Sequence, residues 1–400
     1  MTTEPRPSQG SGGRHGPARP RRRHNWAPHV PLRRWSRITA AVLIVVLVPV
    51  GWSVGHALTM TGGGSMSARL AEWARDHNLG PLVTLGEWIS YQPPKVGGKP
   101  SFALTGPSAA AEKVPKHISP AAPAYPPPAN LQPIVSPALP NEGAWRLLGT
   151  VNGQGAIYGT DIRASSVYSS YVAGVVSMNQ NLVSFQLRPG AEDPGAGNWK
   201  ADDYLPLGTR SGLLATFNSG FKINASDGGF YLNGQTVGTL TSGVASEVYY
   251  RDGHMTIGVW GQTVHMTPDV VGVRQNLHLI VIHGQVPASV DANVTSSWGA
   301  TLGGGYNVWR SGIGETRNGR IVFVYGPALN VRELAQLLQQ AGAVTGLQLD
   351  INPEWMSFQY YLPKGHPNDP TPFNLLPTEN APPDHYYSIN GRDFTVVYSR

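Results

Sequence analysis

Residues 320–355 read RIVFVYGPALNVRELAQLLQQAGAVTGLQLDINPEW. A β-branched and aromatic run, Arg320 to Tyr325, leads into a helical stretch and then into a second apolar run, Val344 to Leu349. Asn330 is placed to cap the helix and Glu333 stands three residues on, where a capping-box partner belongs. Leu334, Leu337, Leu338 and Ala341 recur at helical spacing until Gly342 stops them. Strand, helix and strand in that order predict a right-handed parallel crossover. Asp350 then falls at the carboxyl end of the second strand, the sheet edge where α/β-type sites gather.

Short alternating runs recur around this unit: Arg146 to Val151, Tyr171 to Met178, Leu213 to Phe217, Leu279 to Ile282 and Phe394 to Tyr398. They predict a domain that is mostly sheet. Asp252-Gly253 and Asn318-Gly319 tolerate the positive φ angles of tight hairpins, and each is flanked by strand-like residues. Residues 141–400 are therefore expected to form one α+β domain, sheet-rich, with a C-terminal strand-helix-strand crossover.

The 400-residue chain has no cysteine, which excludes disulfides, thiolate nucleophiles and cysteine-based zinc sites. With 40% hydrophobic residues it has material for a large core, so disorder throughout is excluded. The net charge of +6 is unevenly spread, because residues 1–37 hold nine arginines against the single acid Glu4. Without that tail the chain is slightly acidic, and no nucleic-acid partner is expected. Residues 1–37 read as a basic, disordered cytoplasmic tail. Residues 38–58 have no charged side chain apart from His56 and suit one helix across about 30 Å of hydrocarbon. Arg33, Arg34 and Arg37 hold the N-terminus inside, giving a single-pass type II protein with its C-terminal domain outside. A cleaved signal peptide is the rival reading.

Residues 59–91 read as a short juxtamembrane helical segment, with Leu70, Trp73 and His77 at helical spacing. Its Trp73 and Trp88 suit either an interfacial foot or simple packing on the domain. Residues 92–140 hold thirteen prolines and read as a semi-extended spacer that keeps the domain away from the bilayer.

Three local sequences resemble the phosphodiester glycosidases related to the lysosomal uncovering enzyme, N-acetylglucosamine-1-phosphodiester alpha-N-acetylglucosaminidase. They are Leu213 to Phe217 running into Asn218-Ser219-Gly220-Phe221, then Trp309-Arg310-Ser311-Gly312-Ile313-Gly314, and Leu349-Asp350-Ile351-Asn352-Pro353-Glu354-Trp355. The resemblance spans roughly 145–394 and is closest to a membrane-anchored actinobacterial branch. Where the family usually has Asp-Gly-Gly-Gly, this chain has Asp350-Ile351-Asn352, which removes two freely rotating glycines. The resemblance implies a hydrolase acting on a sugar-1-phosphodiester, with envelope glycopolymers as the expected partner. A non-catalytic glycan-binding module on the same fold is the alternative.

The chemistry of such a bond asks for a carboxylate near C1 and a cation for the departing phosphate. Phosphate leaves easily, so a guanidinium clamp is worth more than a strong general acid. Asp350 is the candidate base or nucleophile and Arg310 the phosphate clamp. Both can equally be a structural ion pair. Asn218 and Gly220 are placed for a sugar hydroxyl, with Asn352 beside them. Glu354 is either the second carboxylate or, with Asp350 and Asn352, an oxygen ligand to a cation, although Pro353 argues against a calcium loop. Asp227-Gly228-Gly229 is either a substrate loop or a hairpin turn. His254, His265, His278 and His283 lack metal-ligand spacing, so no metal is expected, and no cofactor. Gly303-Gly304-Gly305 lacks the context of a nucleotide fingerprint and reads as a loop. Trp260, Trp298, Trp309 and Trp355 suit either sugar stacking or the core.

Overall fold

The computed structural model describes residues 32–59, 65–90, 92–106, 125–292, 295–299, 301 and 305–400. The tail before residue 32, the middle of the proline-rich stretch and the Gly303-Gly304 pair lie outside them. The chain divides into two compact units at Ser53/Val54. Helix α1 (Leu32–Thr59) includes a 23-residue stretch, Arg37–Thr59, long and apolar enough to cross a membrane, as a signal sequence also is. Its apolar side chains from Ile38 to Trp52 are exposed, Val45 at 71%.

The second unit begins with α2 (Met66–Asp76) and α3 (Gly80–Ser90), the expected helical pair, turned at Asn78 with a φ of 62°. Among the described residues seventeen strands, numbered in chain order, then form three sheets. The largest contains β1 (Arg146–Val151), β2 (Gln154–Ile162), β3 (Ala173–Asn179), β11 (Leu279–Ile282), β12 (Val308–Thr316), β13 (Arg320–Leu329) and β14 (Ala343–Gln348). Its order is β1-β2-β3-β13-β12-β14-β11. A second sheet holds β6 (Phe230–Leu232), β7 (Gln235–Val237), β8 (Ala245–Tyr250), β9 (Met255–Val259) and β10 (Val270–Gln275). The third holds β4 (Val183–Arg188), β5 (Leu213–Asn218), β15 (Phe358–Leu362), β16 (Thr371–Asn374) and β17 (Phe394–Ser399), in the order β16-β15-β5-β17-β4. Both expected hairpins are present, Asp252-Gly253 joining β8 to β9 and Asn318-Gly319 joining β12 to β13.

Helix α4 (Val331–Gln340) has the capping box its sequence calls for: Asn330 Oδ1 accepts from Glu333 N and Glu333 Oε2 accepts from Asn330 N. Its buried stripe of Leu334, Leu337 and Leu338 packs with Val322, Val324, Ile280 and Val281 of the large sheet. The crossover differs from the expected one in a single respect. β13 and β14 do run parallel, but β12 lies between them, antiparallel to both. That middle strand is built from small residues for a reason, since a Cβ on Gly312 would come within 3.2 Å of Leu334 and one on Gly314 within 2.7 Å of Ala343. The opposite face of the large sheet meets the third sheet through Phe323, Phe217 and Phe358, with ring centroids 4.9 to 6.2 Å apart.

The spacer reading of residues 92–140 needs correction where the chain is described. Leu104, Leu131 and Val135 are buried, and Leu104 and Leu131 belong to the two main core clusters. Prolines cannot donate, so such a segment must find donors elsewhere for its carbonyls. Arg163 supplies them, with Nη2 on Val135 O and Pro137 O while the same guanidinium forks onto Glu142 at 2.6 and 2.9 Å. The proline-rich chain on either side of residues 107–124 is thus part of the domain's wall.

Candidate functional site

Two strand ends bring the site together. β5 ends at Asn218, and β14 runs out through Leu349 to Asp350. Asn218 Nδ2 donates to Ser311 Oγ at 3.0 Å, while its Oδ1 accepts from Ser357 N at 3.2 Å. Ser311 in turn gives both its backbone N–H and its hydroxyl to Asp350 O, each at 3.0 Å. A carbonyl held by two donors fixes the backbone from which the Asp350 carboxylate projects. Asn276 secures the same corner, taking Phe221 N on its Oδ1 and donating to Gln348 O.

The carboxylate is 5% exposed as a residue and its two oxygens are used differently. Oδ1 accepts from Ile351 N at 2.7 Å and Asn352 N at 2.9 Å. Oδ2 lies 3.3 Å from Arg392 Nη2. Burial pushes the Asp350 carboxyl above its ordinary range, and Arg392 with the two amides offsets only part of that. The turn at Ile351 and Asn352 thus brings both of their amides to face Oδ1.

Arg392 stands just before β17. Its Nη2 also reaches Gly220 O at 3.3 Å, and its guanidinium lies 5.6 Å over the Trp355 ring. Burial alone would lower it, but the carboxylates of Asp350, Asp193 and Glu72 outweigh burial and hold it above its usual value. The next residue, Asp393, forms a wholly buried pair with Arg274, Oδ2 to Nε at 2.8 Å. Arg274 also donates to Phe221 O. This crowding explains Gly220, since a Cβ there would sit 2.8 Å from Asn276 Oδ1 and 3.3 Å from Arg274 Cζ.

These groups open on a cleft of about 610 Å³ whose wall includes Asn218, Gly220, Asp350, Glu354, His385 and Arg392. Burial pushes the His385 imidazole down to about 4, so the ring is neutral at neutral pH. With Nδ1 2.8 Å from Pro382 O, the proton belongs on Nδ1, and Nε2 remains an acceptor facing Ser357 Oγ at 3.5 Å. Glu354 is held at both oxygens, by Asn380 Nδ2 at 3.1 Å and by Ser65 N at 2.6 Å. Trp355 is the one tryptophan of the four that lines the cleft; Trp260 and Trp298 are buried in apolar clusters. Among the described residues no three His, Asp or Glu side chains are grouped to hold a metal ion.

Four of the expected site residues, Asp350, Glu354, Asn218 and Gly220, thus share one cleft. The other three do not line it. Arg310 is 2% exposed and its guanidinium is consumed by Leu329 O, Gln348 Oε1 and Tyr306 O at 2.7 to 3.2 Å. Burial lowers it to about 10, with Tyr306 and Glu333 offsetting only part of that, and among the described residues no carboxylate forms a salt bridge with it. The guanidinium beside Asp350 is that of Arg392, and Arg310, expected there, is not placed to reach a ligand in this cleft. Asn352 is spent on its own turn, its Oδ1 taking Glu354 N at 3.1 Å. Asp227 is exposed at a φ of 59° in the bend between a 3-10 turn (Ile223–Ala225) and β6; the strands on either side, β5 and β6, lie in different sheets, so it neither lines this cleft nor closes a hairpin. Arg392, Asp393, Arg274, Asn276 and His385 were not anticipated. One signal was present: Arg392-Asp393 sets opposite charges side by side at the mouth of an apolar strand, in a chain with only 14% charged residues.

No family model matches the chain, and no curated protein does. Solved structures with a similar course of chain include the zebrafish N-acetylglucosamine-1-phosphodiester alpha-N-acetylglucosaminidase catalytic domain, auto-inhibited by its pro-peptide. It is 12% identical with a TM-score of 0.39, over 61% of this chain and 82% of that one. A hypothetical protein from Synechocystis is 14% identical with a TM-score of 0.33, over 64% of each chain. A putative exported protein from Burkholderia pseudomallei is 10% identical with a TM-score of 0.34, over 59% of this chain and 75% of that one. Scores of this size identify neither a family nor an activity.

Proposed function

We propose that the chain is an exported, membrane-anchored hydrolase that cleaves the glycosidic bond of a sugar-1-phosphodiester in a cell-envelope glycopolymer. On this reading α1 is a single-pass anchor, with Arg33, Arg34 and Arg37 on the cytoplasmic side and the sheet domain outside. The observation that carries the proposal is Asp350 Oδ2 placed 3.3 Å from Arg392 in an open cleft while Oδ1 is held by two amides.

In that arrangement Oδ2 serves C1 of the sugar, either directly or by drawing a proton from water. The C1–O bond breaks, its electron pair leaves with the phosphate, and water supplies the hydroxyl on the freed sugar. The Arg392 guanidinium stabilises the negative charge that gathers on the departing phosphate. The reaction needs no strong acid because phosphate leaves as a weak base, which is consistent with a neutral His385.

The test uses the full chain in detergent and a panel of sugar-1-phosphodiesters, following release of free reducing sugar. Turnover that disappears in Asp350→Asn supports the proposal. Saturable binding without sugar release across the panel would make the protein a glycan-binding module instead.

A further inference from the structure

Helix α2 supplies an acid to Arg392, which lines the cleft, and to Lys222, which stands beside it outside the lining. Glu72 is 9% exposed, and its Oε1 lies 2.6 Å from Lys222 Nζ and 3.7 Å from Arg392 Nη1. Asp76, one turn on, reaches the same ammonium at 3.2 Å. Lys222 follows Gly220-Phe221 directly, so it belongs to the same turn that Arg392 and Arg274 support. Ser65 and Arg69, from the same end of the chain, line the cleft beside Asp350 and Arg392.

The charge balance there is unusual. Asp350, Asp193, Glu192, Glu72 and Asp76 gather around Lys222 and Arg392, and Glu72 adds to the burial that raises both Glu192 and Asp350. Arg392 is still not fully used: its Nε is buried without a hydrogen-bond partner, with Asp193 Oδ2 3.8 Å away. A guanidinium with one N–H unspent, next to an ammonium, has the donors an oxyanion needs. The carboxylate between them comes from a helix outside the three sheets. A second anion brought to the same two cations would meet the Glu72 charge at contact distance, so the two exclude one another.

We infer that Lys222 and Arg392 form an anion subsite behind the Arg392 wall of the cleft for a phosphate or phosphodiester group, and that Glu72 of α2 occupies it as a built-in competitor the ligand must displace. The inference rests on the cleft being the phosphodiester site proposed above, and it adds a second cation and a movable wall to it. Lys222 becomes a binding residue, and α2 sets how readily an anionic ligand enters.

The experiment measures binding of inorganic phosphate to the full chain in detergent by calorimetry, with no turnover involved. Glu72→Gln should bind phosphate at least about tenfold more tightly than the unaltered protein, within the usual range of coupling between two ligands of one site. Adding Lys222→Met to that variant should remove the gain. Equal affinity in Glu72→Gln, or a gain that survives Lys222→Met, would overturn the inference. Melting curves establish that each variant is folded. Independently of any variant, saturating phosphate should speed amide exchange across residues 66–76 of the unaltered protein, and unchanged exchange there would also overturn it. Tight phosphate binding without sugar release would remove the hydrolase proposal alone, whereas turnover indifferent to Glu72 and Lys222 would remove the subsite alone.

Discussion

Arg310 and Arg392 are almost equally hidden, at 2% and 6% exposure, and both belong to the neighbourhood of Asp350 in the chain's topology. Arg310 sits on the middle strand β12 and spends its donors on two main-chain carbonyls and the neutral Gln348. Tyr306 and Glu333 offset its burial only in part, and it is drawn down to about 10. Arg392 sits at a strand entrance facing three carboxylates and is held above its ordinary value despite burial. The contrast separates two uses of one residue type. An arginine surrounded by neutral acceptors ties elements together, and one surrounded by carboxylates at the wall of a cleft keeps a charge available.

The largest effect expected from this contrast is on turnover. Asp350→Asn keeps the shape of the turn but removes the charge opposite Arg392, and sugar release should fall by at least about a thousandfold. Its melting temperature should stay within roughly 3 °C, as for a change of less than about 1 kcal/mol. A parallel loss of stability would move Asp350 to the structural side of the comparison.

Arg310→Met should show the converse. It strands Leu329 O, Tyr306 O and Gln348 Oε1 inside the domain, a loss of about 2–4 kcal/mol in denaturant unfolding. A loss below about 0.5 kcal/mol, the usual reach of surface substitutions, would mean those acceptors find other partners.

A third expectation concerns the buried ground beneath Arg392. Glu247 on β8 pairs in register with Arg274, receives the Tyr249 hydroxyl at 2.7 Å and is raised to about 7 by burial. Its folded value lies above its unfolded one, so its contribution to stability is complete below about pH 4.5 and is lost as pH rises through about 7. Between those limits the slope reaches up to about 1.4 kcal/mol per pH unit. Glu247→Gln should abolish that slope in urea melts run across the same interval. An unchanged slope would place the titration elsewhere. The smallest effect is at the helix cap, where Asn330→Ala should cost about 1 kcal/mol in the same melts.

The parts of this molecule visible in its sequence are those governed by local chemistry. The capping box of α4, the two hairpin dipeptides and the strands β1 and β17 all depend on neighbours a few residues apart, and all are found as expected, although the first four residues of β17 are buried in succession and do not alternate. Asp350 could be placed because it follows a strand. The partner of Asp350 could not, because Arg392 is 42 residues away and its position depends on which strands pair. Arg310 was misleading for a physical reason: an arginine in an apolar strand looks functional until carbonyls are found to absorb it. The insertion of β12 between β13 and β14 was equally hidden, since Gly312 and Gly314 break the apolar alternation that marks a strand, yet serve as a groove for Leu334 and a close contact with Ala343. The proline-rich stretch misled in the opposite direction, because its few apolar residues, Leu104 and Leu131, are enough to anchor it to the core.

The most direct test of the proposed hydrolysis is a side-by-side determination of kcat/KM for Arg392→Lys and Arg310→Lys on the sugar-1-phosphodiester panel, normalised to folded protein. Lysine keeps the charge but not the planar fork, so Arg392→Lys should lose at least about a hundredfold while folded Arg310→Lys retains most of its activity. The reverse ranking, or equal losses in both, would contradict the assignment of the cleft to Asp350 and Arg392.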